Sequence, residues 1–192
     1  MLQGTCRSKY VPEAGMTLSL VTRKSNGNPG TRFHARGIND AGAPGNEIEC
    51  DLVLWTKPSD GAVQWCSHVW RRGTVPLWWS STAPKGMGDP TITVRSRNPY
   101  DGCERYVSSL AGKFGQPICF VNLLREDPTK GESMLSEHFQ QAIQYTKHFI
   151  SVDATVINYD WHKKFKDDKS DRAVDGLWDA VREYFGRIDI TA

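Results

Sequence analysis

Residues 66–74 read CSHVWRRGT, and how this stretch is read decides the fold. Cys66 and Arg72 are separated by five residues, the spacing of phosphatases that use a cysteine nucleophile. Such a loop needs a thiolate, an arginine folded back onto the same phosphate, and backbone N–H groups converging on the anion. Small or glycine residues must therefore lie between the two. Here the interior is Ser-His-Val-Trp-Arg, bulky and partly β-branched, and the wider run AVQWCSHVW (62–70) alternates as a strand does. Six strand steps of ~3.3 Å hold Cys66 and Arg72 about 20 Å apart, too far to share one phosphate. The same spacing recurs at Cys119–Arg125 in CFVNLLR, whose interior is an apolar run resembling a buried strand. Both stretches read as strands, and no residue is assigned a catalytic role.

Outward from this strand the first half alternates repeatedly. TLSLVTR (17–23), 47–55, 62–70, 74–80 and 91–97 are strand candidates, and SNGNPG (25–30) is a turn. The first fifteen residues show no clear period. The second half changes character. Asp101 is placed to cap a helix with Tyr106, Val107, Leu110 and Phe114 on one face, ended by Gly115. PICFVNLL (117–124) reads as a strand sheltered on both faces. The spacing over 132–149 sets Leu135, Phe139, Ala142, Tyr145 and Phe149 on one helix stripe. TVINYDW (155–161) is a further strand, KKFKDDKSDR (163–172) a solvated loop, and Ser170 opens a helix carrying Val174, Leu177, Trp178, Val181 and Phe185 to Gly186. The predicted architecture is α/β: an antiparallel meander, then helix–strand–helix–strand–helix, in one large mixed sheet flanked by helices.

Composition sets the outer bounds. The 192 residues carry 24 Lys+Arg against 22 Asp+Glu, a formal net charge of +2, which does not point to a nucleic-acid partner. The apolar fraction of 39% suits a folded domain, most simply one spanning 1–192. No apolar run reaches the ~20 residues of a transmembrane helix. Five scattered cysteines fit reduced thiols, and the chain is expected to be cytoplasmic. The histidines at 34, 68, 138, 148 and 162 show no metal-ligand spacing, so neither a metal nor a cofactor is expected.

Several motifs together resemble one family, the Sac-type phosphoinositide phosphatases, whose domain is found in synaptojanin-like proteins. Gly30-Thr31-Arg32-Phe33-His34-Ala35-Arg36-Gly37-Ile38-Asn39 is similar to its G-T-R-x-x-x-R-G-x-N signature, with Gly42, Asn46 and Glu49 following. Arg72-Gly73-Thr74-Val75-Pro76-Leu77-Trp78-Trp79-Ser80 resembles R-G-S-x-P-x-x-W-S. Val121-Asn122-Leu123-Leu124 with Gly131-Glu132, Leu135 and Phe139 resembles a third block, and Tyr159-Asp160-Trp161-His162 the F-D-x-H block. Leu2-Gln3-Gly4 looks like a piece that sits inside the domain, ahead of the first signature. The family's R-x-N-C-x-D-C-x-D-R nucleophile block has no counterpart, so the chain resembles the middle of such a domain.

The resemblance implies removal of phosphate from a phosphoinositide headgroup at a cytosolic membrane face, within a larger parent protein. The alternative is a non-enzymatic module that binds phosphoinositide or a protein. Arg36 and Asn39 lie in a glycine-flanked turn suited to a phosphate or inositol hydroxyl, or else shape the turn itself. Arg71 and Arg72, extended by Arg95 and Arg97, form a positive surface for an acidic headgroup, or are ordinary solvated charge. Asp160, His162 and Lys163 follow a strand, where site residues of α/β folds gather. Substrate binding is thus assigned to Arg36, Asn39, Arg72, Asp160, His162 and Lys163.

Overall fold

The computed structural model describes residues 3–31, 34–58, 61–83, 86–95, 98, 100–167 and 172–187. The alternating first half folds as read. Strands β1 (Gln3–Val11), β2 (Met16–Lys24), β3 (Ile48–Thr56) and β4 (Gln64–Arg72) form an antiparallel sheet in the order β1-β2-β3-β4. Cys66 sits mid-strand in β4 opposite Leu54, and Arg72 at its end opposite Ile48. The extended backbone between them is the strand that the alternation predicted.

β1 is the strand for which no period was visible. Eight of its nine residues are exposed, so neither face selects for apolar side chains. An edge strand with two wet faces carries no alternation to read.

The expected single large sheet is instead three separate sheets among the described residues. β5 (Trp79–Thr82) pairs with β6 (Thr91–Val94), and β7 (Ile118–Asn122) runs parallel to β8 (Ala154–Asn158). The strand expected over 74–80 begins only at Trp79. Pro76 has no N–H, and around it the Leu77 N–H turns back onto the Val75 carbonyl at 2.9 Å, a three-residue turn incompatible with a ladder.

Helices α1 (Asp101–Phe114) and α2 (Gly131–Ile150) pack over the two small sheets, with α2 as the crossover between β7 and β8. Leu77, Cys103, Val107, Leu135, Phe139, Ala142, Ile143, Val152 and Ala154 form the core. Three local readings change. Asp101 is the first helical residue rather than the cap, with an ion pair to Arg105 at 3.7 Å, and Tyr100 precedes it. On α2 the buried stripe runs through Ile143 and Thr146, and Tyr145 and Phe149 stack on each other in solvent with centroids 5.6 Å apart. At about 100° per residue Tyr145 lies roughly a quarter turn off that stripe. The β7 stretch is not sheltered on both faces, since Val121 and Leu123 are exposed.

The last strand ends at Asn158, and the presumed loop after it opens as helix α3 (Trp161–Asp167). Helix α4 (Arg172–Phe185) follows, but of its expected stripe only Val181 is buried; Val174, Trp178 and Phe185 are exposed. Phe185 nevertheless meets the His68 ring on β4, with centroids 5.4 Å apart. The Ser170 cap lies outside the described residues, as do Leu2, Arg32, Phe33 and Arg97.

Candidate functional site

The glycine-rich signature folds into a self-tied loop. Asn39 takes the N–H groups of Ala41 (3.1 Å) and Ala43 (2.9 Å) on its side-chain oxygen and donates to the Gly27 carbonyl at 2.8 Å. Asn46 accepts the Gly30 N–H at 3.1 Å, and the Gly45 N–H reaches the Gly37 carbonyl at 2.8 Å. Asn39 thus has its amide engaged within the loop and shapes the turn.

Gly37 fastens this loop to the next motif. Its φ is +63°, and a side chain there would fall on the Leu77 carbonyl and within 2.8 and 2.9 Å of the Trp79 O and N. The Gly37 N–H donates to the Thr74 hydroxyl at 3.3 Å, and the Ile38 N–H to the Leu77 carbonyl at 3.0 Å. The signature around Arg36 and the strip 72–79 are therefore one structural unit. On it the Arg36 guanidinium lies over the Trp79 ring at 5.4 Å and that of Arg95 over Trp78 at 5.2 Å, contacts that fix both cations by cation–π attraction.

Arg71 and Arg72 part company. They occupy opposite faces of β4, because successive strand residues alternate. Arg71 pairs with Glu47 at 3.3 Å and Glu49 at 3.6 Å. Buried Glu47 also accepts the Tyr106 hydroxyl, and Lys113 donates to Glu49 at 2.8 Å, which clasps α1 to the sheet. Burial, with the Glu47 charge second, pushes the Tyr106 phenol well above its ordinary range. Arg71 is committed to this clasp, whereas Arg72 is exposed.

Asp160, His162 and Lys163 gather at the carboxyl ends of the parallel pair. There Asn122 donates to Asn158 at 2.9 Å and to Ser136, which ties β7, β8 and α2 together. Asp160 is buried; its two oxygens accept the Glu126 N–H at 3.0 Å and the Lys163 N–H at 2.9 Å. The carboxylate thus caps α3 and pins the loop after β7. His162 and Lys163 are exposed beside it. The six assigned residues therefore divide between the Gly37 unit and β4 end, with Arg36, Asn39 and Arg72, and this strand-end cluster. Lys24, which sits two strands from Arg72, carries no motif that would have singled it out.

Burial raises the Asp160 carboxyl, but the two backbone N–H bonds, aided by the charges of His162 and Lys163, outweigh it and hold it below the usual carboxylate range. A depressed folded value means this stabilisation is complete above the unfolded aspartate value of about 3.9 and is lost as pH falls through the folded value. Asp160→Ala should cost about 1–2 kcal/mol near neutrality, and the deficit should shrink below about pH 4. Thermal unfolding of both proteins across pH checks this; a deficit independent of pH would refute it.

Neither the Cys66 stretch nor the Cys119 stretch forms an anion loop, since Cys66–Arg72 lies within β4 and Cys119 begins an extended run that stays in β7 to Asn122. Cys50 and Cys103 are buried, and burial pushes the Cys103 thiol up to about 12. No described helix is long and apolar enough to cross a membrane.

These features define a mixed α/β domain in which a glycine-anchored loop holds Arg36 over Trp79 at the start of β5. The chain matches the SacI homology domain over residues 1–166 and belongs to that family. It is 30% identical over 172 residues to the phosphoinositide phosphatase SAC4 of Arabidopsis thaliana, covering 86% of this chain and 21% of that protein. It is likewise 30% identical over 153 residues to a polyphosphoinositide phosphatase of Schizosaccharomyces pombe, covering 74% and 18%. To human synaptojanin-1 it is 29% identical over 182 residues, covering 93% and 11%. The chain thus spans about a fifth or less of the length of these relatives.

Proposed function

We propose that this chain is one partial Sac domain that binds a phosphoinositide headgroup, within a protein that removes phosphate from it at a cytosolic membrane face. In that reaction a cysteine thiolate attacks phosphorus, the P–O bond breaks, and the inositol oxygen leaves with a proton taken from a general acid. Water then attacks phosphorus and breaks the S–P bond, releasing inorganic phosphate and restoring the thiolate. The residues here supply the scaffold and rim: Arg36, Asn39 and Arg72 on one side, Asp160, His162 and Lys163 on the other. The observation that carries this reading is the Gly37 junction, which holds Arg36 over Trp79 beside the strip that starts at Arg72.

The placement of Cys66 and Cys119 in strands favours a binding role for these residues by themselves. Phosphatidylinositol phosphates incubated with this chain should release no phosphate, yet vesicles containing them should bind it. Arg36→Ala should weaken that binding about tenfold, the worth of one charge-assisted contact. Phosphate release abolished by Cys66→Ser, or binding indifferent to Arg36, would sink the proposal.

A further inference from the structure

The four-stranded sheet sorts its charges by face. Cα partners in an antiparallel ladder project to the same side, so one face can be read across all four strands. Glu49 and Asp51 lie on one face with Arg23 and Arg71, and Arg23 pairs with them at 3.1 and 3.5 Å. The opposite face carries Arg7, Lys9, Lys24 and Arg72, and no strand residue on it is acidic.

At one end of that cationic face lies a shallow, open recess of about 510 Å³, lined by Gln3, Gly4, Thr5, Thr22, Lys24 and Ile48. Gly4 lets β1 close down there, because a side chain would strike the Thr22 carbonyl. The Thr5 and Thr22 hydroxyls meet at 2.8 Å; one donates to the other, and the O–H of the acceptor is left to donate to an anion. Lys24 and Arg72 flank Ile48 in the same row of the sheet. Their Cα atoms are thus about 10 Å apart, two strand spacings. Among the described residues neither cation has a carboxylate within ion-pair distance, in contrast to Arg23 and Arg71 on the other face.

We infer that this recess is a binding site for a phosphate-bearing anion, a phosphomonoester gripped by Lys24 and Arg72 over the threonine hydroxyls. Two cations at this separation embrace one phosphate through flexible side chains, and hydroxyl and glutamine donors complete its acceptors. No strand residue on that face is acidic, so no carboxylate of the sheet itself offsets the attraction. The site shares Arg72 with the function proposed above but depends on neither Arg36 nor Asn39.

The test titrates the whole chain with inorganic phosphate and a soluble inositol bisphosphate by calorimetry. In parallel, it is sedimented with phosphatidylcholine vesicles containing a phosphatidylinositol monophosphate or, separately, phosphatidylserine. Lys24→Gln should weaken binding about tenfold, Lys24→Gln with Arg72→Gln should abolish it, and Lys147→Gln on α2 should change nothing. Soluble ligands bound in a Lys24-dependent way identify a free phosphoester as the source, and binding to phosphoinositide vesicles alone identifies a lipid headgroup. Equal binding to phosphatidylserine, or no binding to any probe, overturns the site. So does a double variant with unchanged thermal midpoint that binds as the parent does. Loss in Arg36→Ala with retention in Lys24→Gln would uphold the function above and refute this recess.

Discussion

Gly37→Ala should destabilise the domain by about 3 kcal/mol or more, among the largest effects of any single added methyl group in this chain. Two costs add. The backbone at φ +63° is left-handed, a conformation that costs an L-residue roughly 1–2 kcal/mol. The new Cβ would also meet backbone atoms of Leu77 and Trp79, which are not ends of flexible side chains and cannot step aside. The loop would lift from the 73–79 strip, taking the Gly37–Thr74 and Ile38–Leu77 hydrogen bonds with it. Gly112→Ala provides the contrast of opposite sign. Gly112 is in the interior of α1 with open space around it, so alanine there should stabilise by about 0.5–1 kcal/mol. Urea unfolding of the three proteins decides it; Gly37→Ala within a few tenths of the parent would contradict the junction described here.

Leu77→Ala should cost a similar amount, about 3 kcal/mol, through a different mechanism. Leu77 is fully buried in the cluster shared by α1 and α2, although it comes from an irregular segment. Truncation removes three buried carbons and leaves a cavity whose walls are helices that collapse only partly. For a chain of this size the loss corresponds to a fall in thermal midpoint of about 6–12 °C. Calorimetry would check it, and a fall of less than about 2 °C would show that Leu77 does not anchor the strip. Because its carbonyl also receives the Ile38 N–H, the same residue ties the arginine loop to the helical core.

Much of this was legible in the chain. Alternation in residues 17–23, 47–55 and 62–70 marked the meander, and the bulky interior of CSHVWRR marked a strand rather than an anion loop. Gly115 ended α1 as its φ of +82° requires, and the ordered motifs placed the chain in its family. Local chemistry suffices for such features because neighbours along the chain generate them. Where the deciding partner was distant, sequence reading failed. β1 showed no period because, among the described residues, no layer covers it. Tyr145 and Phe149 have helical spacing, but the core lies a quarter turn away. Asp160 was read as the tail of a strand, yet its bond to the Lys163 N–H makes it the cap of α3.

The candidate sites divide in the same way. Arg36 and Asn39 were visible from their motif, and β-alternation alone separates Arg71 from Arg72. That Arg71 is spent on Glu47 and Glu49, and that Lys24 lies in one row with Arg72, depends on the register of three strands distant in sequence. The sequence by itself determined the order of strands and helices and the family, through periodicity and local turn chemistry. Only the tertiary structure decided which charges are neutralised and which face outward. Register and burial are set by contacts between residues far apart in the chain, and pairing and desolvation make one arginine structural and leave its neighbour exposed.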